Sequence, residues 1–311
     1  MVNLSVNLEI NLAGIRLRNP IVLASGILGV SMSLLKRVEQ AGAGAVTTKT
    51  ITLNPRQGYA NPVFVDLEYG FLNAMGLPNP GVDYFVREFF EGCERLNIPL
   101  IVSIGGGSAE EFYEICARIC KCPMDAVELN LSCPHAKGYG LEVGADPQHV
   151  YDIVRRVRKC FPSKPIFVKL SATVPSIVEV AEAALKAGAS GFVAINTVRA
   201  IAIDIYAKKP ILSNVYGGLS GPAIKPIAVR VVYELYENFK NVPIIGVGGV
   251  DSWETAVEFL LAGARAVGIG SAVVRRDLEI FNEILEGLKR YLEVEGYDRV
   301  SDIVGLAHEV V

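Results

Sequence analysis

Eight times along the chain, a short apolar run rich in β-branched residues precedes a longer segment whose apolar residues recur at helical spacing. That alternation constrains the fold more than any other feature. The strand-like runs are Pro20–Gly26, Ala45–Thr50, Pro99–Gly105, Ala126–Ser132, Pro165–Ser171, Gly191–Thr197, Pro243–Gly249 and Ala266–Ala272. The helical segments after them are Met32–Ala41, Tyr84–Leu96, Ala109–Cys120, Gln148–Cys160, Ser176–Ala187, Pro222–Phe239, Trp253–Ala262 and Leu278–Leu292. Ala-Gly pairs at 41–42, 187–188 and 262–263 close three of the helices in the manner of left-handed C-caps. Strands this continuously apolar are covered on both faces, so the pattern predicts an α/β fold, a parallel (β/α)8 TIM barrel rather than an open sheet. With 51% hydrophobic residues, the 311-residue chain has the core for one such domain over 1–311. Residues 4–18, turning at Ala13-Gly14, are expected to form a hairpin across the barrel's other end.

In a barrel of this kind ligands bind where the strands' C-terminal ends open into loops. Three connections on that side, 51–81, 133–147 and 198–221, are long enough to serve as lids and walls. The strand exits carry Ser25-Gly26, Lys49-Thr50, Ser103, Asn130 to Cys133, Lys169, Asn196-Thr197, Gly248-Gly249 and Gly270-Ser271. Lysines and asparagines inside apolar strands call for a polar ligand, because burying an unpaired ammonium costs several kcal/mol. The alternative is that Lys49 and Lys169 pair with an internal carboxylate such as Glu128. Glycines at the last two exits let backbone amides approach a phosphate. Gly105-Gly-Gly107 reads instead as a turn before a helix capped by Ser108, with Glu111 completing a capping box.

The stretch Glu128-Leu-Asn-Leu-Ser-Cys-Pro-His135 places an amide, a hydroxyl and a thiol at one exit, and Pro134 ends the strand by removing a backbone donor. Cys133 is then either a reactive group or a small buried hydrophobe. A phosphate at one side, lysines at the centre and a thiol over the mouth fit flavin mononucleotide beneath a small anionic substrate. Pyridoxal phosphate would want a partner for its ring nitrogen that the strand ends do not offer.

A net charge of −3 and a pI near 5.8 supply no basic field for nucleic acid or an anionic membrane. Arg155, Arg156, Arg158 and Lys159 read as a solvated helix face. The cysteines at 93, 116, 120, 122, 133 and 160 lack zinc-site spacing, and no other metal cluster is visible. Reduced thiols in a cytoplasmic protein fit best. The first residues, Met1 to Glu9, lack the basic region and long apolar run of a signal peptide or membrane anchor.

Over essentially its whole length the chain resembles the dihydroorotate dehydrogenases, flavin enzymes of pyrimidine synthesis. The resemblance is carried, in family order, by Thr48-Lys-Thr50, Asn73-Ala-Met-Gly-Leu-Pro-Asn79, Asn130-Leu-Ser-Cys-Pro134, Val168-Lys-Leu170, Ile195-Asn-Thr197, Gly217-Gly-Leu-Ser-Gly-Pro222 and Gly248-Gly249. Cysteine at 133, where the membrane-bound class has serine, is similar to the soluble class 1. Lys209-Pro-Ile-Leu-Ser213 before Gly217 resembles the 1B branch. That branch implies a homodimeric catalytic core in a heterotetramer with an iron–sulfur, FAD-bearing electron-transfer subunit that reduces NAD.

The resemblance implies FMN across the barrel mouth, touched by Ser25, Lys49, Thr50, Asn130, Lys169, Ile195 and Gly221. Its phosphate would meet Gly248, Gly249, Gly270 and Ser271. Ser103 stands where relatives often have a flavin-contacting asparagine. Dihydroorotate or orotate would be held by Lys49, Asn130, Asn196, Thr197 and the loop Asn73, Ala74, Met75, Gly76 and Leu77. Cys133 would remove the C5 proton while C6 passes hydride to flavin N5. His135, where the family commonly has asparagine, is shared with dihydropyrimidine dehydrogenases, which keeps reduction of uracil-like bases as a rival. Class 1A enzymes use fumarate as acceptor, a further alternative.

Overall fold

The computed structural model describes residues 6–90, 95–132 and 141–309, apart from the side chains of 141 and 142. Its strands are β1 (Ile10–Leu12), β2 (Ile15–Leu17), β3 (Ile21–Leu23), β4 (Ala45–Thr47), β5 (Phe64–Leu67), β6 (Gly70–Asn73), β7 (Leu100–Ile104), β8 (Ala126–Asn130), β9 (Ile166–Leu170), β10 (Gly191–Ala194), β11 (Val198–Ala200), β12 (Ile203–Asp204), β13 (Lys209–Pro210), β14 (Gly217–Ser220), β15 (Ile244–Val247) and β16 (Ala266–Ile269). The helices are α1 (Met32–Gln40), α2 (Val82–Phe90), α3 (Ala109–Ile119), α4 (Leu141–Gly144), α5 (Pro147–Cys160), α6 (Ile177–Lys186), α7 (Lys225–Asn238), α8 (Trp253–Leu261), α9 (Val273–Arg276) and α10 (Glu279–Glu295).

Strands β3, β4, β7, β8, β9, β10, β15 and β16 pair in parallel in that order and close into a barrel, the (β/α)8 architecture that the alternation predicts. Each lies inside one predicted run but ends one to three residues earlier. Phe112, Phe167, Phe192, Phe259 and Phe281 are fully buried in the core. Burying one such side chain contributes about 1.5–3 kcal/mol.

The Ala-Gly pairs act as read. Gly42, Gly188 and Gly263 have φ of 109°, 104° and 112°. The next residue's N–H then donates five residues back, Ala43 to Val38, Ala189 to Ala184 and Ala264 to Phe259, which is the Schellman pattern. Ser108 caps α3 by accepting from Glu111 N, whereas the Glu111 carboxylate reaches Gly107 N, one residue before the cap. Arg158 departs from the solvated-face expectation: it donates to the carbonyls of Phe161, Lys164 and Gly188 and ties the end of α5 to the end of α6. Helix α2 begins at Val82 and its described part stops at Phe90, with 91–94 outside the described residues. Helix α9 falls where a plain loop is expected.

The antiparallel pair β1 and β2 forms the expected hairpin, with Leu12 and Leu17 fully buried in the main core. Two of the long connections, 51–81 and 198–221, meet in a four-stranded antiparallel sheet ordered β11, β14, β6, β5. Gly218 pairs with Asn73 and Leu219 with Leu72. This sheet roofs the barrel mouth, held by a small cluster of Leu72, Ala74 and Leu212.

Candidate active site

Beneath the roof, at the C-terminal ends of the barrel strands, lies a cavity of about 330 Å³, within the usual range of small-molecule sites. Ser25, Lys49, Thr50, Asn130, Lys169, Ile195, Asn196 and Thr197 line it from the exits of β3, β4, β8, β9 and β10. Gly221 enters from the end of β14, Gly248 and Gly249 follow β15, and Gly270 and Ser271 follow β16. Asn73, Met75, Gly76 and Leu77 descend from the roof. Two other expected residues do not reach the lining. Ala74 is buried in the roof cluster, and Ser103 is fully buried beneath the floor. Cys133 and His135 lie outside the described residues.

Lys169 stands opposite Asn130 in the ladder between β8 and β9 and is only 4% exposed. Its Nζ donates to Ser25 Oγ at 2.9 Å, a neutral acceptor that leaves the ammonium charge for an electron-rich ligand. Lys49 follows β4, and its N–H donates to Gly29 O, so the loop after β3 braces the β4 exit. The third long connection also returns to the site. A Cβ on Gly144 in α4 would lie 1.8 Å from Leu131 O, so this helix packs directly on the β8 exit.

The floor is a connected polar network. Asn130 Nδ2 donates to Thr50 Oγ1 at 3.0 Å, and Thr50 Oγ1 lies 2.9 Å from Ser103 Oγ. Ser103 in turn donates to Glu128 Oε1 at 2.7 Å. Above the floor, Asn130 Oδ1 accepts from Ser132 Oγ, Ser132 N and Asn196 Nδ2, while Asn196 Nδ2 also donates to Ser132 Oγ at 3.0 Å. Glu128 is thus engaged by a hydroxyl.

At the far end the backbone takes over. Ala24 N–H donates to Ile269 O in the ladder, and Gly270 and Ser271 continue beyond it into the first turn of α9. A Cβ on Gly249, at φ 81°, would lie 2.9 Å from Gly221 O, so this crossing needs glycine. At Gly270 the nearest protein atom to such a Cβ is 3.9 Å away, so the missing side chain there leaves room for a ligand. Barrel phosphate sites commonly form at these two exits beside a short extra helix. Apolar walls come from Ile27, Phe64, Ile224, Val247 and Val274. The combination fits a flat heteroaromatic ring with a phosphate tail. The apolar wall residues escaped the sequence reading because nothing distinguishes them from core positions. A second cavity of about 210 Å³ adjoins the first at Gly249 and Ser271 and is lined by Arg275 and Arg276. Among the described residues, no group of three His, Cys, Asp or Glu side chains could hold a metal ion.

Comparison with known proteins agrees with this geometry. The family model described as Dihydroorotate dehydrogenase matches residues 7–292. A Pyrococcus abyssi protein named Dihydroorotate dehydrogenase B (NAD(+)), catalytic subunit, is 54% identical over 303 residues, covering 97% of this chain and 100% of the relative. Proteins of the same name from Methanocaldococcus jannaschii and Methanosarcina acetivorans are 50% and 47% identical, covering 97% of this chain in each case and 98% and 96% of the relatives. With a closed barrel, a cavity at its mouth and near-complete coverage by these relatives, the chain belongs to the dihydroorotate dehydrogenase family of oxidoreductases.

Proposed function

We propose that this chain is the cytoplasmic catalytic subunit of a class 1B enzyme that oxidises (S)-dihydroorotate to orotate in pyrimidine synthesis. It holds FMN in the barrel mouth and hands electrons to an iron–sulfur, FAD-bearing subunit and thence to NAD, as the core homodimer of a heterotetramer. The observation that carries the reading is the meeting, in one cavity, of the buried Lys169, the Asn130–Asn196 amide pair and the glycine exits of β15 and β16. The name shared by the relatives, an NAD-linked catalytic subunit, supports the second subunit.

Bound FMN supplies the acceptor for the hydride leaving C6. Gly248, Gly249, Gly270 and Ser271 would hold its phosphate, and Lys169 with Ser25 would face its polar ring edge, where a fixed ammonium stabilises negative charge. Lys49 pairs with the substrate carboxylate. Cys133 Sγ, as thiolate, takes the C5 proton, so that loss of that proton and of the C6 hydride leaves a C5–C6 double bond. Asn130 and Asn196 hold the ring's amide edge, and the roof excludes water during the transfer.

Purification under mild conditions should give a yellow protein. Anaerobic mixing with dihydroorotate, with uracil and NADPH, and with fumarate then separates the alternatives by which substrate bleaches or restores the flavin. A colourless protein that refuses FMN sinks the reading. Preference for uracil and NADPH would move the assignment to the dihydropyrimidine dehydrogenase type.

A further inference from the structure

Glu128 faces the barrel interior on β8, two residues before Asn130, and is 2% exposed. Ser103 Oγ donates to Glu128 Oε1, and that direction orders the protons in the network above it. Ser103 gives its one hydroxyl hydrogen to Glu128, so it must accept from Thr50. Thr50, having given its hydrogen to Ser103, can only accept from Asn130. Asn130 therefore turns its NH2 group down and its Oδ1 up. From above, the backbone N–H of Ser132 holds Oδ1 in the same sense at 3.3 Å. Thr197 N–H donates to Asn196 Oδ1 at 2.8 Å, which turns the Asn196 NH2 group toward Ser132. After these bonds Asn130 Nδ2 keeps a second hydrogen and Asn196 Oδ1 a second lone pair, and both residues line the cavity. The pair thus offers a ligand one donor, from Asn130, and one acceptor, on Asn196, which suit a ring carbonyl and a ring N–H respectively.

We propose that Glu128 is a positioning residue that, through Ser103 and Thr50, sets the donor–acceptor order of the Asn130–Asn196 pair and with it the preference for a pyrimidine amide edge. The proposal rests on the dihydroorotate reading of the cavity and assigns Ser103 to the relay rather than to the flavin. Depth explains why. Ser103 pairs with Glu128 across the β7–β8 ladder, two residues deeper than Asn130.

The test titrates FMN-loaded protein with orotate and with the analogue in which an amino group replaces one ring carbonyl, following the flavin absorbance. The amino analogue reverses the order that the pair is set to read. Wild type should prefer orotate, and in Ser103→Ala that preference should fall about tenfold, the size of one neutral hydrogen bond. Glu128→Gln keeps the side chain's shape but can turn an NH2 toward Ser103, so it should lower the preference too. The double variant should lose no more than the larger single loss, because both changes cut one chain. Should Ser103→Ala fail to hold FMN, Glu128→Gln decides alone. Wild-type preference in both single variants overturns the proposal while leaving the substrate reading intact. Failure of FMN-loaded wild type to bind orotate at all overturns both.

Discussion

Lys49 and Lys169 share one cavity, and the roles proposed for them predict that substitution should separate them. Losing a charge-assisted contact costs about 1–3 kcal/mol. Lys49→Ala should weaken orotate by that amount in absorbance titrations and leave carboxylate-free dihydrouracil almost unchanged; an equal loss for both would contradict its role. Cys133→Ala should keep FMN, yet slow anaerobic stopped-flow bleaching by dihydroorotate by about a hundredfold, the contribution of a positioned base. Bleaching at the wild-type rate would make Cys133 a wall residue. Outside the site, the Cys160 thiol is brought from 9.0 down to about 7, first by the hydrogen bond from Cys116 and then by Arg156, against the effect of burial. Burial pushes the Cys116 thiol up. The lowered Cys160 value adds stability that is present above the unfolded-state value and is lost as pH falls through about 7. Alkylation of Cys160 by iodoacetamide should therefore show a midpoint near 7, moving back toward 9.0 in Cys116→Ala. A midpoint unmoved by that change would rule out the thiol pair as the cause. Lys169, Asn130 and Asn196 were legible in the sequence because polar side chains in apolar strands are costly without a ligand. Ser103 was not, since its depth follows from its pairing with Glu128 across the ladder rather than from its place in the run.

Local signals specified the helices well, as the three Ala-Gly caps demonstrate, because a Schellman cap is decided within six residues. The roof sheet was not legible. It joins segments far apart in the chain, and β14 is Gly-Gly-Leu-Ser, inside a stretch expected as a long connection, whose glycines weaken strand propensity. Its strand character comes entirely from β6 and β11 on either side. The crossing at Gly70 is the tightest part of this sheet that the site depends on. Gly70 has φ of 155°, and a Cβ there would lie 2.0 Å from Ser220 O, next to Gly221 in the cavity wall. Gly70→Ala should push β14 away from β6 at a cost of about 1–3 kcal/mol, typical of overpacking. The measurable result is faster loss of FMN on dilution together with a lower thermal midpoint. Unchanged FMN retention would mean that the roof does not brace the cofactor.

Across the whole molecule the barrel could be read from the sequence because each strand and helix pair repeats a local pattern, and the eight parallel strands do close into a barrel. What the sequence leaves open is where the electrons go. The chain contains no Gly-x-Gly-x-x-Gly dinucleotide fingerprint after a strand and no four-cysteine cluster pattern. The isolated chain should accordingly reduce artificial dyes with dihydroorotate but hardly reduce NAD; brisk NAD reduction by homogeneous chain would contradict the need for a partner. The most direct test of the account is an anaerobic titration of the FMN-loaded chain, without partner or acceptor, using dihydroorotate and then dihydrouracil. The account predicts that dihydroorotate bleaches the flavin stoichiometrically with release of orotate, while dihydrouracil at the same concentration bleaches it far more slowly. A flavin that stays oxidised under excess dihydroorotate, or that dihydrouracil bleaches as readily, would contradict it.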